Sequence, residues 1–388
     1  MGYLNKICPE LLKVAQLGGI EVKSDCIVYA KKYYQAIYEA KKLGIVAKEY
    51  PFIEAFGARL TSGQIIHFAK TNIVSFISKQ ARVSAMINVS KKIMSLNTLY
   101  AQDCYGKGVK VAIIDTGINP HIDFCLPNMR ITKFVDLING KEMPYDDNGH
   151  GTFVASIACG NGLASGGKFC GVAPKSEIVA IKALGENGEA GADKILEAMQ
   201  WVSDNHKKYN IKVVCMSFGS NPLGRNDPLV LGAEALWHQG IVVVAAAGNS
   251  GPEGETIKSP GFSSQIITVG GVDDNRDKEE NFDKKLFRIA NFSSRGPTGR
   301  FFKPDLIAPA VDITGANVGG EDLYCKMSGT SVATPMIAGV CLLVYSKYPN
   351  ISPDHIKVRL LGNCDKISGN HNEEGFGLLN MSKFFEMR

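Results

Sequence analysis

Between residues 101 and 388 the apolar positions fall in short unbroken runs, spaced by longer stretches with helical periodicity. VKVAIID (109–115), EIVAIKAL (177–184), VVCMSFG (213–219), IVVVAAAG (241–248) and QIITVGGV (265–272) lack in/out alternation, as strands covered on both faces do. GHGTFVASIACG (149–160), ADKILEAMQWVSDNHKKY (192–209) and DPLVLGAEALWHQG (227–240) read as the helices between them. Repetition of strand, helix, strand predicts an α/β fold, a doubly wound and mostly parallel sheet with helices on both faces. Functional groups then belong at the carboxyl ends of strands, where Asp115 and Asn249 fall. SVATPMIAGVCLLVYSKY (331–348) is apolar on nearly all sides and predicts a central buried helix with Ser331 at its start. Pro335 is placed in a first turn that has no intrahelical acceptor for its missing N–H.

Residues 1–96 are patterned differently. CIVYA (26–30) is strand-like, 31–44 helical, 45–60 extended, 62–71 helical and NIVSFIS (72–78) strand-like. That succession predicts a small ferredoxin-like α+β domain of the split βαβ kind. Residues 83–100 read as the connection, so the expected domains are 1–96 and 97–388.

A chain of 388 residues exceeds the size at which a single core usually stops growing, which agrees with two domains. Net charge is +5, but it is unevenly spread. Lys and Arg outnumber Asp and Glu by 14 to 6 in residues 1–100 and trail by 29 to 32 in the remainder. The basic residues are scattered without an aromatic platform or Gly-rich loop, so attraction between two domains of one chain explains them better than nucleic acid. No GxGxxG or GxxxxGK[ST] marks a nucleotide site. No apolar run approaches the ~20 residues of a membrane span, and the opening MGYLNKICPELLKVAQLGG lacks the apolar core of an export signal. The ten cysteines form no CxxC pair and mostly sit in apolar or small-residue runs, which predicts free thiols and a cytoplasmic location.

Chemistry enters through four blocks: VAIIDTGI (111–118), DDNGHGTFVA (146–155), VVVAAAGNSG (242–251) and MSGTSVATP (327–335). A serine hydroxyl is a weak nucleophile until a base takes its proton, and an acid must fix the tautomer of that base. Asp115 ends a predicted strand, His150 opens a helix after a polar turn, and Ser331 stands at a helix N-terminus aimed at a reacting oxygen. Asn249 adds a side-chain amide able to meet a developing oxyanion. Taken singly, each has an ordinary explanation: a strand-end acid, a structural histidine, a helix cap. Asp, His, Ser is one of three known chain orders for such a triad.

Together these blocks resemble the subtilisin family of serine peptidases, the subtilases, over roughly residues 105–385. PYDDNGHGT, SSRGPT, KPDLIAPAV and TVGGVDD bring the chain closest to the intracellular, calcium-poor AprX-type bacterial members. The resemblance implies a serine endopeptidase working through an acyl-enzyme, with Asp115 orienting, His150 as base and acid, Ser331 as nucleophile and Asn249 as oxyanion donor. It further implies that Ser217, Phe218 and Gly219 line one side of an extended substrate, with Gly188 and Ala190 in the strand ENGEAGA (186–192) on the other. Ala246, Ala247 and Gly248 would form a pocket wall. Lys258 falls near the pocket floor, where a small residue is usual; it either favours an acidic side chain or is a solvated loop lysine.

Residues 1–96 correspond in this reading to the family's propeptide, an intramolecular inhibitor and folding template, with autocleavage in the 80s or 90s. That stretch holds no Asp or Glu, which sets self-processing against an acidic preference at Lys258. Partners are then polypeptide substrates and the chain's own N-terminal domain, with no nucleic acid and no membrane. No cofactor is expected to be required. Asp123 matches one calcium ligand of secreted members, but residues 159–173 carry no acidic cluster and a hard cation needs about six oxygens. Phe153 replaces a second, non-catalytic histidine common in the family and should alter packing behind the site. The competing reading is a catalytically silent or propeptide-locked subtilase acting as a signalling or scaffold protein.

Overall fold

Along Lys23–Ala30 (β1) every second residue from Cys26 is buried, the period of a strand covered on one face. The computed structural model describes residues 3–8, 11–12, 22–51, 54–79, 89–224, 226–275, 284–319, 322–367 and 369–384. They form two compact units, Met1–Ser84 and Ala85–Arg388. After β1 the smaller unit continues with α1 (Tyr33–Lys42), β2 (Lys48–Tyr50), β3 (Ala55–Thr61), α2 (Ser62–Lys70) and β4 (Val74–Lys79). Its sheet has the order β2-β3-β1-β4 with every pairing antiparallel, a split βαβ arrangement. The stretch 45–60, expected as one extended run, is divided into β2 and β3, with Glu54 at positive φ just before β3. Val28, Phe56, Leu60, Ile65, Phe68 and Ile77 are wholly buried between sheet and helices. A capping box between Thr61 and Gln64 starts α2, satisfying two otherwise orphaned N–H groups.

The larger unit opens with two short helices, α3 (Val89–Ile93) and α4 (Asn97–Tyr100). Met94, Leu96 and Leu99 are fully buried in its core, so residues expected to be a plain connection belong structurally with the larger unit. Residues 80–88, where part of the expected cleavage region falls, lie outside the described residues. Next come β5 (Lys110–Asp115), β6 (Ile131–Asp136), α5 (His150–Cys159), β7 (Glu177–Lys182), α6 (Ala192–Tyr209), β8 (Ile211–Met216), α7 (Pro228–His238), β9 (Val242–Ala246) and β10 (Ile267–Asp273). The unit ends with β11 (Arg288–Ile289), β12 (Leu306–Pro309), the hairpin β13 (Ile313–Ala316) and β14 (Tyr324–Met327), α8 (Thr330–Lys347), α9 (Pro353–Gly362), β15 (Cys364–Asp365) and β16 (Leu378–Leu379).

The sheet order β15-β16-β12-β10-β9-β8-β5-β7-β6 is parallel except at β15, and β11 adds an antiparallel pair to β10. β5 lies between β7 and β8, so the chain changes direction across the sheet at this strand. In doubly wound sheets the crevice at such a switch point is where ligands bind. α8 is the one described helix long and apolar enough to cross a membrane, and most of it is buried inside the unit. Pro335 corrects an expectation. It is the sixth residue of α8, not part of the first turn, so the Ser331 carbonyl loses its usual i+4 donor.

Candidate active site

Asp115 is the last residue of β5 and is 1% exposed. Its Oδ1 accepts from the Thr116 N–H at 2.8 Å and from His150 Nδ1 at 2.7 Å. Oδ2 is buried with no hydrogen-bond partner among the described residues. A carboxylate accepting at Nδ1 puts the imidazole proton there and leaves Nε2 as the basic nitrogen. Burial of His150 works to lower its pKa, but the charge and hydrogen bond of Asp115, with the charge of Asp146, more than offset this and hold it above 6.5.

His150 is the first residue of α5, and its position depends on a group the sequence pattern did not single out. Asp146 Oδ1 accepts from Thr116 Oγ1 at 2.9 Å, Asn148 N at 3.1 Å and Gly149 N at 2.8 Å, while Oδ2 accepts from Thr152 N and Oγ1 at 2.9 and 2.7 Å. One carboxylate therefore closes the turn, caps the helix and ties both to the end of β5. The only available signal was an acid just ahead of a helix. Gly151 is required by close approach: a Cβ there would sit 2.1 Å from the Gly117 carbonyl oxygen. Below the loop, Lys182 is fully buried and donates to Thr116 O at 2.7 Å, Leu184 O at 3.0 Å and Asp147 Oδ1 at 2.6 Å. This buried cation has its hydrogen-bonding capacity met, the condition for keeping a charge inside.

Ser331 is the second residue of α8. Asn249, three residues beyond β9, is oriented by Thr330, whose N–H and Oγ1 donate to Asn249 Oδ1 at 2.9 and 3.0 Å. With its oxygen occupied, the amide turns its Nδ2 donors elsewhere. A Cβ on Gly329 would lie 3.0 Å from Ser331 Oγ and 3.3 Å from Asn249 Nδ2, so hydroxyl and amide border one small space. Thr330 is thus a second functional neighbour not singled out in the sequence, read there only as part of GTS.

The expected substrate-lining residues separate into two groups. Gly219, Gly248 and Lys258 meet: Cβ atoms on the two glycines would come within 2.5 Å and 2.4 Å of the Lys258 side chain. The Lys258 N–H donates to Ala247 O at 2.9 Å, continuing the wall begun by Ala246. Lys258 Nζ donates to Asn221 Oδ1 at 2.6 Å in an exposed hydrogen bond. Ser217, Phe218 and Gly219 follow β8 without joining a strand. Across from them, 186–192 departs from the expected strand: Gly185 N donates to Glu189 O at 2.9 Å, closing a turn that contains Gly188 at φ 75°. Ala190 follows outside any strand, and Gly191 caps α6. Asn148 Nδ2, beside His150 in sequence, donates to Glu186 O at 2.7 Å and links this segment to the site.

Asp123, the residue matched to a calcium ligand by sequence, is held by protein donors. Its Oδ1 accepts from Ala164 N at 3.0 Å and its Oδ2 from Tyr324 OH at 2.7 Å. The nearby carbonyls of Cys159 and Ser176 accept from Arg130 Nη1 at 2.7 and 2.8 Å, and Asp123 O accepts from Nη2. A guanidinium thus supplies positive charge there. Among the described residues no group of three or more His, Cys, Asp or Glu is arranged to hold a metal ion. Phe153 is fully buried behind the site, close enough to Gly315 of β13 that a Cβ there would lie 2.9 Å from its ring.

The subtilase family profile matches residues 106–378. The chain belongs to the subtilase family. Serine protease AprX of Bacillus subtilis (strain 168) is 40% identical over 288 residues, 68% of this chain and 63% of that protein. The match therefore spans under two thirds of AprX. The thermostable alkaline protease of Halalkalibacterium halodurans is 30% identical over 84% of this chain and 81% of its own length, and subtilisin DY of Bacillus licheniformis 32% over 74% and 95%. Among solved structures, sphericase superposes with a TM-score of 0.60 at 26% identity, covering 71% of this subtilase and 92% of sphericase. The family is one of serine peptidases, and the mostly parallel sheet described above is its fold.

Proposed function

We propose that this subtilase is a serine endopeptidase that works through an acyl-enzyme, with Asp115, His150 and Ser331 as its triad. The observation that carries the reading is the 2.7 Å contact between His150 Nδ1 and Asp115 Oδ1 at the switch-point strand. Ser331 Oγ attacks the substrate carbonyl while His150 Nε2 takes its proton. The resulting oxyanion accepts from Asn249 Nδ2 and the Ser331 N–H, donors that need no rearrangement as charge develops. His150 then returns the proton to the leaving amine, and water repeats the sequence to release the acid. Segments 217–219 and 189–190, lying outside any strand, offer backbone to an extended peptide on its two sides. Lys258 between Gly219 and Gly248 would set the side-chain preference of the adjoining pocket, and no metal or cofactor takes part.

Residues 1–96 are proposed to act as an inhibitory propeptide, a reading supported by a separate core in the smaller unit and by its excess of basic residues. None of the ten cysteines forms a disulfide, which favours a cytoplasmic setting. A fluorophosphonate probe tests the central claim. Labelling of the full chain that disappears in Ser331→Ala is expected; absence of labelling, even after the smaller unit Met1–Ser84 is removed, would leave the family's fold without its chemistry.

A further inference from the structure

Between the segments that leave β8 and β9, the larger unit keeps a gap that one lysine enters. Ser217 to Ser220 continue from β8, Ala247 and Gly248 continue from β9, and the backbone at 258–259 joins the two. Lys258 N donates to Ala247 O at 2.9 Å, while Ser220 N donates to Ser259 O at 3.0 Å and Ser259 N to Ser220 O at 2.9 Å. The three segments therefore make two walls and a floor. Lys258 starts from that floor. A Cβ on Gly219 would lie 2.5 Å from its Cβ, and one on Gly248 2.4 Å from its Cγ, so the lysine stem runs through space that both glycines leave open.

Gly248 fixes where this gap lies relative to the proposed reaction. Its N–H donates to Thr330 Oγ1 at 3.2 Å, and Thr330 is the residue that orients Asn249, the next in sequence. A carbonyl held against Asn249 Nδ2 and Ser331 Oγ is thus about one residue's length, roughly 3.8 Å of chain, from the wall that the lysine stem touches. Lys258 is half-buried, and its Nζ donates to Asn221 Oδ1 in an exposed hydrogen bond. The apolar stem is shielded while the charge stays at the rim, the usual arrangement of a long cationic side chain beside apolar surface. An ammonium has three N–H donors, so a carboxylate can join it without displacing Asn221. With its oxygen turned to the lysine, Asn221 also presents its Nδ2 donors beside the same charge.

We infer that the preferred substrates are peptides with an acidic residue, glutamate or aspartate, at the carbonyl that is attacked, and that Lys258 sets this preference. The inference rests on the proposed peptidase reading and names the substrate class of that site. The acidic side chain enters the gap beside Gly219 and Gly248, and its carboxylate accepts a charge-assisted hydrogen bond from Lys258 Nζ. A lysine or arginine in the same place meets a like charge, which discriminates against it. Residues 80–100 hold no Asp or Glu, so self-cleavage in that stretch would run on intramolecular proximity and not on this preference.

The test is kcat/KM of the full chain on two chromogenic peptides that differ only in Glu or Gln before the scissile bond, with fluorophosphonate labelling of Ser331 followed in the same preparation. Glu and Gln are close in size, so their ratio reads charge. Glu is expected to exceed Gln by about tenfold, the scale of one hydrogen bond to a charged group at a partly exposed site, and the excess should shrink at high salt. Lys258→Met should bring the ratio near one, and Lys258→Glu should make a Lys peptide better than the Glu peptide. Labelling of either variant shows that its site is folded; if neither labels, the wild-type salt series decides, and a ratio indifferent to salt overturns the preference. Equal rates for Glu and Gln in wild type, a ratio that survives Lys258→Met, or a Ser331 that labels while neither peptide is cut overturns it as well. A wild-type chain that does not label fails earlier, at the proposed activity, and takes this inference with it.

Discussion

The His150 imidazole carries two opposing influences, and their balance sets a measurable pH. Burial disfavours its cation, whereas Asp115 and Asp146 favour it more strongly. A general base must be neutral to accept a proton, so the acid limb of kcat/KM is expected above pH 6.5, rising as His150 deprotonates. Asp115→Asn removes the nearer charge: the limb should move down, and kcat should fall by about 10⁴, the cost known for this change in serine-peptidase triads. Asn249→Ala should instead leave the limb in place and cost about 10²- to 10³-fold in kcat, as the matching donor does in subtilisin. pH–rate profiles on a chromogenic peptide separate the two. A limb that stays put in Asp115→Asn would show that His150 is not the titrating base.

Among the elements, β10, β12 and α9 are joined by a charge cluster. Lys303, 1% exposed, lies 2.6 Å from Asp305 Oδ2, and Lys357 lies 3.1 Å from Asp305 Oδ1. Asp305 Oδ2 also accepts from Thr268 N at 2.8 Å. Burial lowers the Lys303 pKa to about 8, with Asp305 opposing and Lys357 adding to the shift. The folded state therefore binds fewer protons than the unfolded chain between about 8 and 10.5, and this lysine's contribution to stability rises with pH across that window. Buried thiols such as Cys159, raised to about 12 by burial, act in the opposite sense at high pH. The useful quantity is thus a difference: the stability of wild type minus that of Lys303→Met, from urea unfolding, should climb between pH 8 and 10.5. A flat difference would mean that burial leaves the Lys303 pKa where it stands in the unfolded chain.

For the whole molecule, the question is how two compact units of opposite charge balance are used. If residues 1–96 are an inhibitor removed by the enzyme itself, intact-mass measurement of the purified chain should show a scission that is missing in Ser331→Ala. Met94, Leu96 and Leu99 are buried in the core of the larger unit, and cutting beside them would expose apolar surface at about 25 cal/mol per Å². The break is therefore expected on the N-terminal side of Lys91. An unbroken wild-type chain that still labels with fluorophosphonate would argue for regulation without cleavage, and the same scission in Ser331→Ala would assign it to another peptidase.

Much of this was legible in the chain because the signals are local. Unbroken apolar runs mark strands buried on both faces, and α6 occupies the residues its pattern predicts, 192–209. Asp115, His150, Ser331 and Asn249 are recognisable because each must sit at an element's end, where glycines and caps leave a motif. Other features depended on contacts distant in sequence. Asp146 and Thr330 matter through the groups they orient, 30 and 81 residues away in the chain. Lys258 reads as a surface loop lysine until Gly219 and Gly248 close around it, and Met94 to Leu99 read as a linker until the larger core covers them. Asp123 matches a metal ligand by sequence, yet hydrogen bonds from Ala164 and Tyr324 occupy both its oxygens. Local pattern determined the elements and the chemistry carried at their ends, because backbone periodicity and capping act over a few residues. Only the tertiary structure decided which charges are paired and which loops are pinned, because those follow from desolvation and distance in space.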